Sequence, residues 1–204
     1  MTNRHIKFGD LYLNEQFVTV KSRVESKVRA AVNHIWLVDR SGSMSRELPR
    51  LIDDLKTSHR ELNTQDTLSF GYFSSEGMYR FVFKGLKLTT EEDHNKLDQE
   101  LNKYKQSLSL TCFSEILQDS LNVIEELSWI STNFALWLFT DGYPVVNNYK
   151  KEVESISSAL SKLESRLTSA QFIGYGDYYN KELLAQMAAE VGGELRHCSD
   201  QQDY

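Results

Sequence analysis

The sequence predicts an α/β fold: a doubly wound, mostly parallel sheet with helices on both faces, one antiparallel edge strand and an N-terminal accessory β-element. Two observations carry this. From residue 31 onward, short apolar runs without strict alternation, the pattern of strands buried on both faces, are separated by longer segments with an apolar stripe of helical period. Before residue 31 the period is two.

Residues 1–30 are read as a β-extension. Val18, Val20, Val24 and Val28 alternate with Thr19, Lys21, Arg23, Glu25, Lys27 and Arg29, which predicts a long strand with one apolar and one basic, solvated face. Its apolar face needs a cover, supplied either by a hairpin partner from residues 8–15 or by strands beyond Tyr204.

Residues 31–204 form the α/β domain. VNHIWLV (32–38), TLSFGYF (67–73), FALWLF (134–139) and QFIGY (171–175) are the buried strands. MYRFVFKGL (78–86) follows its neighbour after a short Ser-Ser-Glu-Gly turn, too short for a crossover, so it is antiparallel and at the sheet edge. Leu48, Leu51, Ile52, Leu55 and Leu62 mark one helix face, and Phe113, Ile116, Leu117, Leu121 and Ile124 a second. Val153, Ile156, Leu160, Leu163 and Leu167 mark a third, and Leu183, Leu184, Met187 and Val191 a fourth. TTEED (89–93) supplies a threonine cap and first-turn acids for a more polar helix, and Pro49 suits a helix opening. Trp36, Trp129 and Trp137 are assigned to core packing.

The chain has 204 residues, enough to bury a core in one domain with an appendage. A formal charge of −6 argues against a nucleic-acid or anionic-membrane binder, which would need a large basic face, so proteins or cations are the expected partners. Cys112 and Cys198 are too few for a disulfide framework and read as inert, partly buried thiols. No stretch approaches the ~18 apolar residues of a membrane span, and the chain is expected to be cytoplasmic.

The chemistry lies where the first buried strand breaks off. In HIWLVDRSGSM (34–44), Asp39, Ser41 and Ser43 stand two apart, so on a tightly turning backbone their oxygens can converge on one point. Such oxygen donors suit a hard divalent cation, whereas imidazole and thiolate would suit zinc. Alone the pattern is weak, because Asp and Ser also cap helices. Asp141, ending LWLFTDGYP, and Thr111, preceding a helix in SLSLTCFSEIL, add a carboxylate and a hydroxyl at other strand ends. Two carboxylates and three hydroxyls leave a coordination place for an outside ligand.

Asp39-x-Ser41-x-Ser43 with Thr111 and Asp141 resembles the metal-ion-dependent adhesion site of von Willebrand factor type A (VWA) domains. The resemblance covers roughly residues 31–198 and extends to FIGYGDYYNKELLAQMAAEVGGEL. It implies a Rossmann-like sandwich holding Mg²⁺, or Mn²⁺ or Ca²⁺, with Ser41, Ser43 and Thr111 as direct ligands. Asp39 and Asp141 would act directly or through water. It further implies that an Asp or Glu from a partner protein completes the coordination. Ser109 and Leu110 stand where the family often has glycines. The chain also stops at CSDQQDY without the family's further helix, which suggests a fragment of a larger protein.

The first reading is therefore a metal-dependent protein-binding module, with Arg40, Arg46, Ser75, Glu76, Phe113, Tyr143, Pro144 and Asn147 as the rim around the ion. The chain is not expected to be an enzyme. A metal-dependent phosphohydrolase would need a second carboxyl where Ser41 stands, and no glycine-rich phosphate cradle follows a strand. A metal-free scaffold on the same fold is the alternative, with a metal-dependent phosphohydrolase a less favoured one.

Overall fold

The computed structural model describes residues 4–8, 11–15 and 29–198. Strands β1 (Arg4–Phe8) and β2 (Leu11–Glu15) pair antiparallel as a separate two-stranded sheet. The alternating valines 18–28 lie outside the described residues.

The main sheet holds β3 (Val32–Asp39), β4 (Thr67–Phe73), β5 (Tyr79–Lys87), β6 (Asn133–Thr140), β7 (Ser169–Tyr175) and β8 (Glu194–Cys198). Their order is β5-β4-β3-β6-β7-β8, and every pairing is parallel except β4 with β5. The edge strand is thus antiparallel, as the short turn dictates. The far edge, β8, is the polar run ELRHC. Its lack of an apolar signature hid it in the sequence.

Among the described residues five α-helices cover the sheet: α1 (Leu48–Ser58), α2 (Glu91–Leu101), α3 (Ser114–Leu127), α4 (Tyr149–Glu164) and α5 (Lys181–Glu190). Trp36 and Val38 of β3 pack with Leu48, Leu51 and Leu55 of α1 and Leu97 of α2. Ile35 and Leu37 point the other way, into a core with Ile116 of α3, Leu160 of α4 and Leu184 of α5. Because both faces of β3 are covered, its alternation is invisible in composition. Each such aliphatic side chain contributes about 1.5–3 kcal/mol on burial.

The helix starts follow local chemistry. Thr90 and Asp93 form a reciprocal capping box on α2, Pro49 sits in the first turn of α1, and Asn148 and Asn180 cap α4 and α5. Three apolar stripes run past their helices. Leu62 follows a short 3-10 turn, and Leu167 and Val191 follow the ends of α4 and α5, so the stripes continue into the descending chain. Trp129 corrects the sequence reading: it is 82% exposed in the turn between α3 and β6. Cys112 and Cys198 are buried, and burial pushes the Cys112 thiol up to about 11. No helix among the described residues is long and apolar enough to cross a membrane.

Candidate metal centre

The chain leaves β3 toward β4 on one side and returns by β6 on the other, so strand order reverses between β3 and β6. The carboxyl ends of two such strands diverge into a crevice. Asp39 ends β3, and Asp141 directly follows β6.

Asp39 is fully buried. Its Oδ1 accepts from the Ser41 backbone N–H at 2.7 Å, folding the loop back on the strand, and its Oδ2 accepts from the Thr140 hydroxyl at 2.5 Å. The Ser41 and Ser43 hydroxyls are 3.0 Å apart, and the Ser43 hydroxyl bonds the Asp141 carboxylate. A continuous polar chain therefore runs from Asp39 through Ser41 and Ser43 to Asp141. Gly142, at φ 75°, turns the backbone after Asp141 and donates its N–H to the Thr140 hydroxyl at 2.8 Å. An L side chain there would be strained and would press on Leu184.

Thr111 arrives on a third loop. The Ser109 carbonyl accepts from Gly42 N–H at 2.7 Å, the Thr111 carbonyl from Val145 N–H at 2.9 Å, and the Ser74 carbonyl from Cys112 N–H at 2.7 Å. These bonds lock the loop against both carboxylate-bearing loops and against the end of β4. The Thr111 hydroxyl itself is buried without a hydrogen-bond partner among the described residues.

Burial pushes Asp39 up to about 7, against the bonds from Thr140 and Ser41, and the neighbouring Asp141 pushes it the same way. Asp141 is also raised, chiefly by burial. Two desolvated carboxylates held together are electrostatically costly unless a cation lies between them. Among the described residues no group of three or more His, Cys, Asp or Glu gathers to hold a metal. The two carboxylates and three hydroxyls expected as donors would fit a hard cation and would not fit zinc.

The rim divides. Arg46 is exposed and shares a cleft of ≈ 290 Å³ with Ser43, Asp141, Asp177 and Tyr178. Glu76 and Asn147 share a second cleft with Cys112. Tyr143 is exposed, Pro144 is half-buried, and the half-buried Ser75 accepts from the Leu110 N–H through its hydroxyl at 3.1 Å. Two rim expectations are corrected. Phe113 is fully buried against Phe73, and Arg40 is buried, with its guanidinium bonded to the Gln106 carbonyl and lying over Tyr72 and Tyr104. Both are structural supports beneath the loops: Arg40 directly follows β3 and Phe113 directly precedes α3, and each is turned inward there.

Sequence reasoning missed Thr140 and Glu152. Glu152, on α4, accepts from the Phe113 N–H at 2.7 Å, the Ser114 N–H at 2.9 Å and the Ser114 hydroxyl at 2.7 Å. It caps α3 from another helix and fixes the segment just after Thr111. Only the Thr next to Asp141 carried a local signal. Asp177 and Tyr178 were missed too, since they reach the cleft through the loop after β7.

This sheet order, with its loops converging at the β3/β6 crevice, defines the von Willebrand factor type A fold. No protein-family model and no curated protein sequence matches the chain. Solved structures do. A von Willebrand factor type A protein from Catenulispora acidiphila superposes with TM-score 0.71 at 13% identity, over 84% of this chain and 39% of that one. The manganese-loaded TRAP protein of Plasmodium vivax gives 0.58 at 19% identity, over 83% and 69%. The SpRpn10 VWA domain gives 0.54 at 9% identity, over 85% and 90%. The chain thus spans well under two thirds of the Catenulispora protein.

Proposed function

We propose that this domain is a protein-interaction module that binds an Asp or Glu of its partner through Mg²⁺, Mn²⁺ or Ca²⁺ held by Asp39, Ser41, Ser43, Thr111 and Asp141. The observation that carries this reading is the Thr111 hydroxyl, buried without a partner among the described residues on a loop locked against two raised, buried carboxylates. A buried orphan hydroxyl costs about 1–3 kcal/mol unless a ligand satisfies it. The manganese in the TRAP structure is in keeping with such a site on this fold.

When bound, the cation supplies an electrophilic position for a carboxylate. Asp39 and Asp141 neutralise its charge, so an incoming anion is not repelled. Thr140 and the Ser41 backbone N–H hold the Asp39 oxygens in place, and the hydroxyls of Ser41, Ser43 and Thr111 replace hydration water. The test is calorimetry with Mg²⁺ and Mn²⁺ on the intact chain, followed by partner capture with and without chelator. Chelation and Thr111→Ala should each weaken the complex more than raised salt does. Absence of any heat of metal binding, with capture indifferent to chelator, would leave the metal-free scaffold.

A further inference from the structure

Exposed apolar side chains are distributed unevenly on this molecule. Among the described residues ten large apolar side chains are exposed, and all but Trp129 and Ile130 lie at the carboxyl end of the sheet. That end also carries the candidate metal centre. Exposed apolar residues scattered singly need no explanation, whereas their concentration beside a polar site marks a binding surface.

Three of them belong to one rigid arc. Met78 is 45% exposed, Leu110 47% and Val145 50%. The Met78 carbonyl accepts from Ser74 N–H at 2.9 Å, and the Leu110 carbonyl accepts from the same Ser74 through its hydroxyl at 2.9 Å. Leu110 immediately precedes Thr111, whose backbone pairs with Val145. The arc is therefore assembled by two backbone bonds and the Ser74 hydroxyl, from three loops that also frame the site. Its shape is set before a partner arrives, which lowers the entropic cost of binding.

Resting on the metal reading above, we propose that Met78, Leu110 and Val145 form a specificity platform for a partner protein segment whose metal-directed acidic residue is flanked by an apolar side chain. Such a side chain lies on the platform while its neighbouring carboxylate reaches the cation. Glu76, exposed next to the arc, repels a second acid at that flanking position. Three half-exposed aliphatic side chains offer far less than the roughly 800 Å² per partner that a stable dimer buries, so a short segment is the fitting occupant rather than a second copy of this chain.

The test is a displayed library of short peptides with a fixed central Glu and random flanks, panned against the intact chain in Mg²⁺ and in EDTA. Recovered peptides should require Mg²⁺ and carry Leu, Ile, Met or Phe beside the Glu. Leu110→Ser combined with Met78→Ser should weaken a recovered peptide about tenfold while leaving Mn²⁺ binding by calorimetry unchanged. Trp129→Ser, at the opposite end, should leave peptide affinity unchanged. Mg²⁺-dependent peptides without an apolar flank, or indifferent to the double substitution, would overturn the platform and leave the metal reading standing. Apolar-flanked peptides recovered equally in EDTA would overturn the metal reading, and with it the coupled selection. Recovery of nothing overturns the platform, and light scattering that shows self-association lost with Leu110→Ser would assign the arc to a second copy instead.

Discussion

The Thr140 hydroxyl donates to Oδ2 of Asp39 across the β3–β6 junction and accepts from Gly142 N–H, so one side chain couples the first carboxylate to the turn that carries the second. Thr140→Val keeps the shape and removes both bonds. Metal affinity should fall about 10–100-fold, as for other residues that orient a ligand without touching the ion. Calorimetry with Mn²⁺ checks this, and unchanged affinity would show that Asp39 is held by Ser41 alone.

Saturating Mg²⁺ or Mn²⁺ should raise the melting temperature. At a hundredfold excess over Kd the stabilisation is about 2.7 kcal/mol, or roughly 5–10 °C for a chain of this size. Asp39→Ala or Asp141→Ala should abolish the metal-dependent part while the circular dichroism spectrum stays that of the folded domain. A shift that survives either substitution would place the ion elsewhere.

Glu152 stabilises α3 from outside it. Glu152→Ala leaves the Phe113 and Ser114 N–H groups without their acceptor, at a cost of about 2–4 kcal/mol. Glu152→Gln keeps one acceptor oxygen and should cost less than the alanine change. Urea unfolding of both variants, in chelator to remove any metal contribution, measures the difference.

The buried His59 ring lies between Asp98, at 2.7 Å from Nε2, and His94, at 2.8 Å from Nδ1, with Arg60 also bonded to Asp98. Burial chiefly holds His59 below its ordinary 6.5, against the pull of Asp98. The unfolded chain therefore takes up a proton near pH 6.5 that the folded chain refuses. Stability contributed by His59 is full above that pH and is lost as pH falls below it. Urea midpoints should drop from about pH 7.5 to about pH 5.5, and the drop should be smaller in His59→Gln. An identical slope in the variant would assign the acid sensitivity to other groups.

Much of this molecule is legible in one dimension. The apolar runs of β3, β4, β6 and β7, the Pro49 and Thr90 helix starts and the short turn before β5 are local signals, because each arises from neighbours in the chain. The acid-hydroxyl pattern after β3 is local as well, since alternate residues on a tight turn face one point whatever the rest of the fold does. β8 was not legible, because an edge strand with polar side chains has no apolar period to read.

Which distant residues serve the site was decided only by tertiary structure. Composition could not tell that Arg40 and Phe113 turn inward, that Trp129 turns outward, or that Glu152 reaches back to cap another helix. The sequence by itself determined the alternation of strands and helices and the donor types at the strand ends. The crossing order of the sheet determined the rest: by placing β6 beside β3, it put Thr140 against Asp39, Val145 against Thr111 and the Thr111 hydroxyl in a buried position without a partner among the described residues. Contacts between residues some 30 to 100 positions apart depend on that order, and no local preference encodes it.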